Sequence, residues 1–258
     1  MDSKFYSQSD IENLIKCIEH KKKEYEAFDT INDIEFINIK QYFYMKELSN
    51  SLRIENIEFD EEEISMVLSN FHLSYGKRAE GVMQIVNLNS AWKYMRKNLD
   101  KKLTMEFIEQ LQNMSMANIL PDNECGIFRN GQVIITNSKH MPPHHTKVKE
   151  LLKESINYYY CSRNDDSILL KILKFNHSFV KIHPFFDGNG RVSRLLLSML
   201  LMQNGYVPMI INADKKDEYY DSLEYADIYY DYRRFYGFML EQLNDTYNMY
   251  LNMVKTLN

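Results

Sequence analysis

The stretch IHPFFDGNGRVSR, residues 182–194, joins a glycine-rich turn to the start of a long apolar run. Asp187-Gly-Asn-Gly190 alone would be typical of a hairpin turn, which needs a strand on each side. The residues that follow, 191–202, are instead rich in helix formers and long enough for about three turns. A glycine-rich turn before a helix is a common anion site, because the unpaired amides and the helix dipole favour negative charge.

The charged side chains around this turn suit a polyphosphate and a metal ion. Arg191 and Arg194 are three residues apart, so their guanidinium groups share one face of the helix. Asp187 offers the hard oxygen ligand that Mg²⁺ uses together with phosphate oxygens. His183 is the one group here whose proton affinity suits a general base near neutral pH. On these residues alone, a phosphate site and a buried structural turn are equally well supported.

Length and composition predict one mainly helical protein. The chain has 258 residues, of which 45% are hydrophobic, and it contains only 8 Gly and 5 Pro, so long helices are expected. The one β signal is residues 126–136, where β-branched residues flank Asn130-Gly131 and predict a hairpin. Helical patterning covers residues 9–56, with a break near Asn32 and Asp33 and a second stretch around residues 45–54. Further predicted helices cover residues 60–74, 84–98, 103–116, 148–159, 167–181, 191–203 and 219–228, with a last one from residue 232. Thr104 should act near the start of its helix.

Charge, hydropathy and cysteines narrow the class of protein further. The net charge of −5 argues against nucleic acid as a partner. The most apolar stretch, Leu195–Met202, is far shorter than the roughly 20 residues of a membrane span, and no signal peptide is recognised. Cys17, Cys125 and Cys161 lack any C-x-x-C spacing and are expected to be reduced thiols. The sequence therefore predicts a soluble, cytoplasmic protein.

Residues 183–194 resemble the signature of the Fic family, H-x-F-x-[D/E]-G-N-G-R-x-x-R. His183, Phe185, the run 187–191 and Arg194 fill every fixed position. Residues 176–182 resemble the family's lead-in helix, and the predicted hairpin with residues 138–143 resembles its target-docking flap. The similarity extends over roughly residues 85–240. It implies a Fic-type helical bundle with one short β-hairpin flap.

The resemblance implies a protein adenylyltransferase, which transfers AMP from ATP to a Tyr, Thr or Ser hydroxyl of a target protein and releases pyrophosphate. His183 would be the base, and Mg²⁺ would lie on Asp187. The adenine would lie against Tyr219 and Tyr220, while Asp227 replaces the family's usual Asn in that helix. The residues implied for ATP binding are Asp187, Gly188, Asn189, Gly190, Arg191, Arg194, Tyr219 and Tyr220.

The predicted flap would hold the target protein by strand addition, in which main-chain hydrogen bonds provide most of the affinity. The residues expected at its docking edge are Val133, Ile134, Ile135 and Thr136. The partners expected are therefore ATP and a docked protein substrate, and no membrane. Self-modification and assembly into a homo-oligomer are left open.

Residues 51–56, SLRIEN, match the inhibitory pattern [S/T]-x-x-x-E-[G/N] that some family members carry on an N-terminal helix. This class II arrangement implies that Glu55 pairs with Arg194 and competes with ATP for it. Ser51, one helical turn earlier, would fix the inhibitory helix near the turn. In some relatives the same glutamate helps to remove AMP from the target, and that activity is left open here.

The predicted organisation has three parts: an N-terminal helical region, 1–84, with the inhibitory helix at about 45–56; a catalytic core, 85–240; and a C-terminal helix, 241–258. Two alternatives stay open for the function. The first is a Fic-fold enzyme that transfers another phosphate-containing group, although Gly190 favours AMP. The second is a regulatory or toxin-type module that only binds nucleotide, although such a module has no need of His183.

Overall fold

A computed structural model of the chain describes residues 4–29, 34–69, 79–135, 138–162 and 167–256. Over these residues the protein is mainly helical, as predicted, and contains ten α-helices and two single 3₁₀ turns. The helices are α1 Gln8–Asp29, α2 Ile34–Ile54, α3 Glu61–Leu68, α4 Ala79–Lys97, α5 Met105–Met116, α6 Val148–Cys161, α7 Ile168–Ile182, α8 Asn189–Gln203, α9 Lys216–Tyr229 and α10 Arg233–Lys255.

Helix α8 forms the centre of the bundle. Every residue from 191 to 201 is buried, because α2, α4, α5 and α7 all pack around it. Helices α1 and α10 form an extensive pair, and α10 also contacts α2, α7 and α9. The turn of residues 183–188 directly precedes this central helix. No helix among the described ranges is both long and apolar enough to cross a membrane.

The ends of several helices follow from their capping residues. Thr104 caps α5 by accepting a hydrogen bond from Phe107 N, which confirms the predicted role. Asp60 caps α3 in a capping box with Glu63. Residues 70–74 of the helix predicted at 60–74 lie outside the described residues.

Other predicted boundaries need correction. Helices α1 and α2 confirm the helical patterning predicted over residues 9–56, and the predicted break near Asn32 and Asp33 lies outside the described residues. The second stretch, predicted around residues 45–54, begins earlier, at Ile34, so the inhibitory segment is the last part of a long helix. Helix α8 begins at Asn189 and not at residue 191, so the second half of the glycine-rich turn is already helical. Helices α4 and α10 run without a break through residues 84 and 240, and the division into three parts stays a prediction.

The predicted hairpin at residues 126–136 is not confirmed, because no β-strand is found in the described part of the chain. The first arm of the expected hairpin is engaged elsewhere. Arg129 N donates to Pro184 O at 2.9 Å, and the Arg129 side chain donates to Gly131 O at 2.9 Å. The main chain near Asn130-Gly131 is thereby tied to the turn before α8, and it does not pair with residues 132–135.

Candidate active site

The turn between α7 and α8 contains two left-handed residues. His183 ends α7 with φ +50°, and its N–H donates to Phe179 O at 3.0 Å. Gly188 precedes α8 with φ +82°. A Cβ at residue 188 would lie 2.8 Å from Met116 Cγ, so both the backbone angle and the close approach require glycine. The two residues allow the chain to turn between α7 and α8, which pack against each other.

Asn189 fixes the shape of this turn. Its Oδ1 accepts from Phe185 N at 2.9 Å, and its Nδ2 donates to Phe185 O at 2.9 Å. Phe185 is fully buried and stacks on Phe128. Because the Asn189 side chain is buried and satisfied within the turn, only its main-chain amide is left for a phosphate oxygen.

The imidazole of His183 is neutral at physiological pH. Burial, together with the nearby positive charge of Arg129, lowers the pKa of His183 to about 4, against the opposing charges of Asp187 and Glu55. A neutral imidazole carries the lone pair that a general base needs. His183 can therefore accept a proton without first losing one.

Arg194 is buried and held by the end of α2. Its Nε donates to Ser51 Oγ at 2.8 Å, and its Nη2 donates to Ser51 O at 2.9 Å and to Glu55 Oε1 at 2.6 Å. Burial alone would raise the pKa of Glu55, but the charge and hydrogen bond of Arg194 hold it below its usual value. The pair is therefore ionised at neutral pH, and the structure brings Ser51, Glu55 and Arg194 together as a unit.

The residue after Glu55 ends the inhibitory helix. Asn56 has φ +62°, and its N–H donates to Arg53 O at 3.0 Å. Ile57 N donates to Leu52 O at 3.1 Å, which completes a Schellman motif. This explains the [G/N] of the pattern, since Gly and Asn tolerate the left-handed conformation. Glu55 consequently lies at the negative end of the helix dipole, where the Arg194 cation offsets the unfavourable charge.

The Glu55 carboxylate lies against the first turn of α8. A Cβ on Gly190 would overlap Glu55 Oε1 and approach Arg194 Nη1 to 3.2 Å. The absence of a side chain at Gly190 thus lets an anion come close to the helix N-terminus. In this structure the anion is the protein's own carboxylate.

Arg191 is the second buried guanidinium of the turn. Its Nη1 donates to Gln84 Oε1 at 2.6 Å, and its Nη2 lies 3.6 Å from Asp187 Oδ1. Gln84, which lies on α4 about a hundred positions away, was not among the predicted site residues. Another missed residue is Gln112 of α5, which donates to Asp187 O at 3.2 Å and accepts from Gly126 N.

The Asp187 carboxylate is exposed and accepts from Gly188 N at 2.5 Å. In the described part of the chain no group of three or more His, Cys, Asp or Glu side chains could hold a metal ion. Asp187 therefore fits a Mg²⁺ that takes one carboxylate from the protein and its other ligands from phosphates and water. It does not fit a metal enclosed by protein ligands.

The two tyrosines predicted to contact adenine differ in burial. Tyr219 is 2% exposed and stacks on Phe238, whereas Tyr220 is 46% exposed. Of the two side chains, only Tyr220 has enough exposed surface to contact a nucleobase. The Asp227 carboxylate forms an ion pair with Lys181, whose Nζ lies 3.0 Å from Oδ1. The other carboxylate oxygen of Asp227, Oδ2, lies 3.7 Å from His140 Nδ1.

The predicted docking edge lies beside the turn. Ile134 is 76% exposed, and Val133 and Ile135 are partly buried. Thr136 lies outside the described residues. Arg129, which the sequence analysis did not single out, joins this segment to the turn. A buried arginine that binds only carbonyl oxygens leaves no periodic or motif signal in a single sequence.

Comparison with known proteins identifies the family of the chain. Residues 102–201 match the model of the family described as Fic/DOC. A protein named protein adenylyltransferase Fic from Drosophila grimshawi is 31% identical over 216 residues, which are 82% of this chain and 44% of the relative. Its namesake from Aedes aegypti is 27% identical over 92% of this chain and 48% of its own length. The chain thus spans about half the length of these relatives.

Solved structures show the same fold. Fic-1 from C. elegans superposes with a TM-score of 0.85 at 20% identity, covering 96% of this chain and 73% of that one. A Fic family protein from Desulfovibrio desulfuricans G20 superposes with a TM-score of 0.82 at 21% identity, covering 98% and 77%.

Proposed function

Because the chain carries a Fic/DOC domain at residues 102–201, we propose that it is a protein adenylyltransferase that transfers AMP from ATP to a hydroxyl group of a target protein. The observation that carries the proposal is the arrangement of the turn, in which a neutral His183 stands six residues before Asn189, the first residue of α8, and Arg191 and Arg194 lie within the first six residues of that helix. The names of the relatives that cover most of this chain support the same chemistry.

In the proposed reaction, the target oxygen attacks the α-phosphorus while His183 accepts the hydroxyl proton. The new O–P bond forms as the bond between the α-phosphorus and the bridging oxygen breaks, and pyrophosphate leaves with that electron pair. Arg191, Arg194 and the first amides of α8 orient and neutralise the phosphates. Mg²⁺ on Asp187 would supply further charge neutralisation.

Glu55 would inhibit this reaction in the state described here. Its carboxylate occupies the Arg194 guanidinium and lies against Gly190, where phosphate oxygens would otherwise bind. ATP would have to compete with an ion pair inside the same molecule, both for space and for charge. Release would require the end of α2 to move away from α8.

The target would dock along residues 133–135, beside the exposed side chain of Ile134. Strand addition at this edge would present a hydroxyl-bearing side chain to the turn. The free thiols of Cys17, Cys125 and Cys161 fit a protein of the reducing cytoplasm.

The test is incubation with Mg²⁺ and ATP labelled at the α-phosphate, with cell lysate as the source of targets. We expect Glu55→Gly to increase protein labelling severalfold or more, because Arg194 is released for ATP. Glu62→Gly, the same substitution at an exposed glutamate of α3, should leave labelling at the wild-type level.

Adding His183→Ala to Glu55→Gly should reduce labelling by about 10²–10⁴-fold, which is the usual contribution of a general base. Full labelling by this double variant would remove His183 as the base. Equal labelling from γ-labelled ATP would indicate phosphorylation instead of AMP transfer. Loss of label on prolonged incubation of the wild type, but not of Glu55→Gly, would reveal removal of AMP by the same site.

A further inference from the structure

Arg129 is a buried arginine whose side-chain hydrogen bonds all go to backbone carbonyls. It is 2% exposed. Its Nε donates to His183 O at 2.8 Å, its Nη1 to Gly131 O at 2.9 Å and its Nη2 to Pro143 O at 2.5 Å. A weaker contact joins Nη2 to Ile182 O at 3.4 Å. Within the described ranges no carboxylate forms an ion pair with it.

A buried cation without an acidic partner is costly, and burial accordingly lowers the pKa of Arg129. A well-packed apolar side chain would often stabilise such a position as well or better. The four carbonyl oxygens accept the hydrogen bonds that the guanidinium can donate, but they do not explain why a charged side chain stands at this buried position. The identity of the bonded residues suggests the reason.

The carbonyl groups belong to two parts of the candidate site. Ile182 and His183 form the end of α7, where the base is located. Gly131 and Pro143 stand on either side of the docking edge at residues 133–135. The Arg129 main chain adds a fifth contact by donating to Pro184 O at 2.9 Å. One planar group therefore sets the position of residues 131–135 and 138–143, the docking segment, relative to the base.

The positive charge of Arg129 also acts on the imidazole. Three charged groups act on His183: Arg129, which precedes the docking segment, Asp187 from the turn and Glu55 from the end of α2. The two carboxylates raise the pKa of His183, whereas Arg129 and, above all, burial lower it. Arg129 thus opposes protonation of the imidazole while its hydrogen bonds hold the carbonyl of the same residue.

We propose that Arg129 is a positioning residue for the transfer reaction, whose guanidinium holds the His183 main chain and the docking segment in one fixed relation. A target hydroxyl presented by the segment then meets the imidazole at reacting distance. This inference rests on the proposed function. Arg129 does not contact ATP in this arrangement, because ATP would lie over the start of α8.

The kinetic test uses Arg129→Lys and Arg129→Met in the Glu55→Gly background, with an identified target protein. Lysine keeps the charge but cannot reach several carbonyls at fixed angles. We expect kcat to fall by about 10–100-fold in both variants, since a misplacement of about 1 Å can cost that much. The dissociation constant of ATP should change less than about twofold. Arg234→Lys, an arginine of α10 beside Asp221, serves as the control.

Two measurements separate this inference from the proposed function, because neither needs AMP transfer. Hydrogen exchange should become faster over residues 131–135 and 138–143 in both variants. The NMR titration of His183 should shift upward in Arg129→Met and much less in Arg129→Lys. If the methionine variant fails to fold, the lysine variant still provides the test, because unchanged ATP affinity shows that it is folded.

Wild-type kcat in Arg129→Lys, or unchanged exchange in the docking segment, would overturn the inference. If the Glu55→Gly parent transfers no AMP while exchange and titration change as described, the proposed function fails and the positioning of His183 by Arg129 stands. A tenfold or larger loss of kcat with retained ATP affinity supports both.

Discussion

At the scale of single residues, some side chains of the signature stabilise the turn, and others are available to bind a ligand or to act on it. Asn189 and Phe185 hold each other by two hydrogen bonds, and Gly188 leaves room for Met116. His183, Arg191 and Arg194 are the groups with chemistry to offer. The signature therefore encodes the structure of the turn as well as groups that can bind a ligand.

Substitution at Gly188 tests the framework. We expect Gly188→Ala to lower the free energy of unfolding by roughly 1–3 kcal/mol, because alanine is strained at φ +82° and its Cβ would press on Met116. For a chain of this size that corresponds to a loss of about 2–4 °C in melting temperature per kcal/mol. Thermal unfolding by circular dichroism measures it.

Gly131→Ala is the matched control, because its Cβ would lie at an ordinary 3.5 Å from Phe186 Cε1. It should unfold within about 1 °C of the wild type. Equal melting temperatures for Gly188→Ala and the wild type would mean that the turn can relax around a side chain.

At the scale of secondary structure, the end of α2 decides where the inhibitory carboxylate stands. The left-handed Asn56 terminates the helix immediately after Glu55, and Asn56 Oδ1 accepts from Lys216 Nζ at 2.7 Å. Arg53 donates to Asp214 at 2.7 Å, which ties the same helix end to the start of α9. Inhibition therefore depends on a helix cap as well as on an ion pair.

Changing the cap should change inhibition without touching Glu55 or Arg194. We expect Asn56→Val to raise AMP transfer severalfold, because a β-branched residue resists the left-handed conformation and loosens the last turn of α2. Asn56→Gly, which adopts that conformation without strain, should remain inhibited. The α-label assay described above measures both. Strong activation by Asn56→Gly would show that the contact with Lys216, and not the backbone angle, holds the helix end.

At the scale of the whole molecule, a buried glutamate joins three helices behind the inhibitory contact. Glu47 of α2 accepts from Ser198 Oγ of α8 at 2.5 Å and from Trp92 Nε1 of α4 at 3.1 Å. It lines a small cavity together with Ser51 and Arg194. The carboxyl group is one link between the N-terminal helices and the centre of the bundle.

Glu47 should make the stability of the whole protein depend on pH. Burial raises its pKa to about 7 in the folded state, against 4.5 for an ordinary glutamate. The folded protein therefore binds more protons between about pH 4.5 and 7, so this contribution to stability is present below that window and is lost as the pH rises through it. The expected loss is on the order of 1–3 kcal/mol.

Glu47→Gln should flatten this dependence, since an amide has no proton to lose in that range. Urea unfolding at pH 5 and pH 8 measures the difference, with the exposed Glu62→Gln as the control. The same slope in the wild type and in Glu47→Gln would assign the pH dependence to other groups.

The sequence predicted most helical segments, because helix propensity and capping depend on neighbouring residues. Thr104 could be recognised as a cap from its place before an apolar run. The residues of the turn alone left a phosphate site and a structural turn equally well supported, and the resemblance of residues 183–194 to the Fic signature decided between them. The hairpin failed for the opposite reason. Asn130-Gly131 favours a local turn, but Arg129 binds the turn before α8, and that competing contact has no local signal.

The sequence alone determined the fold class, the residue types of the turn and the pairing expected between Glu55 and Arg194. Only the tertiary structure decided that Gln84, Gln112, Glu47 and Arg129 support these groups, and that Tyr219 is buried while Tyr220 is exposed. The physical reason is the range of the interactions. Helix propensity and capping act over a few residues, whereas a buried amide or guanidinium is satisfied by whichever polar groups the packed chain brings within about 3 Å.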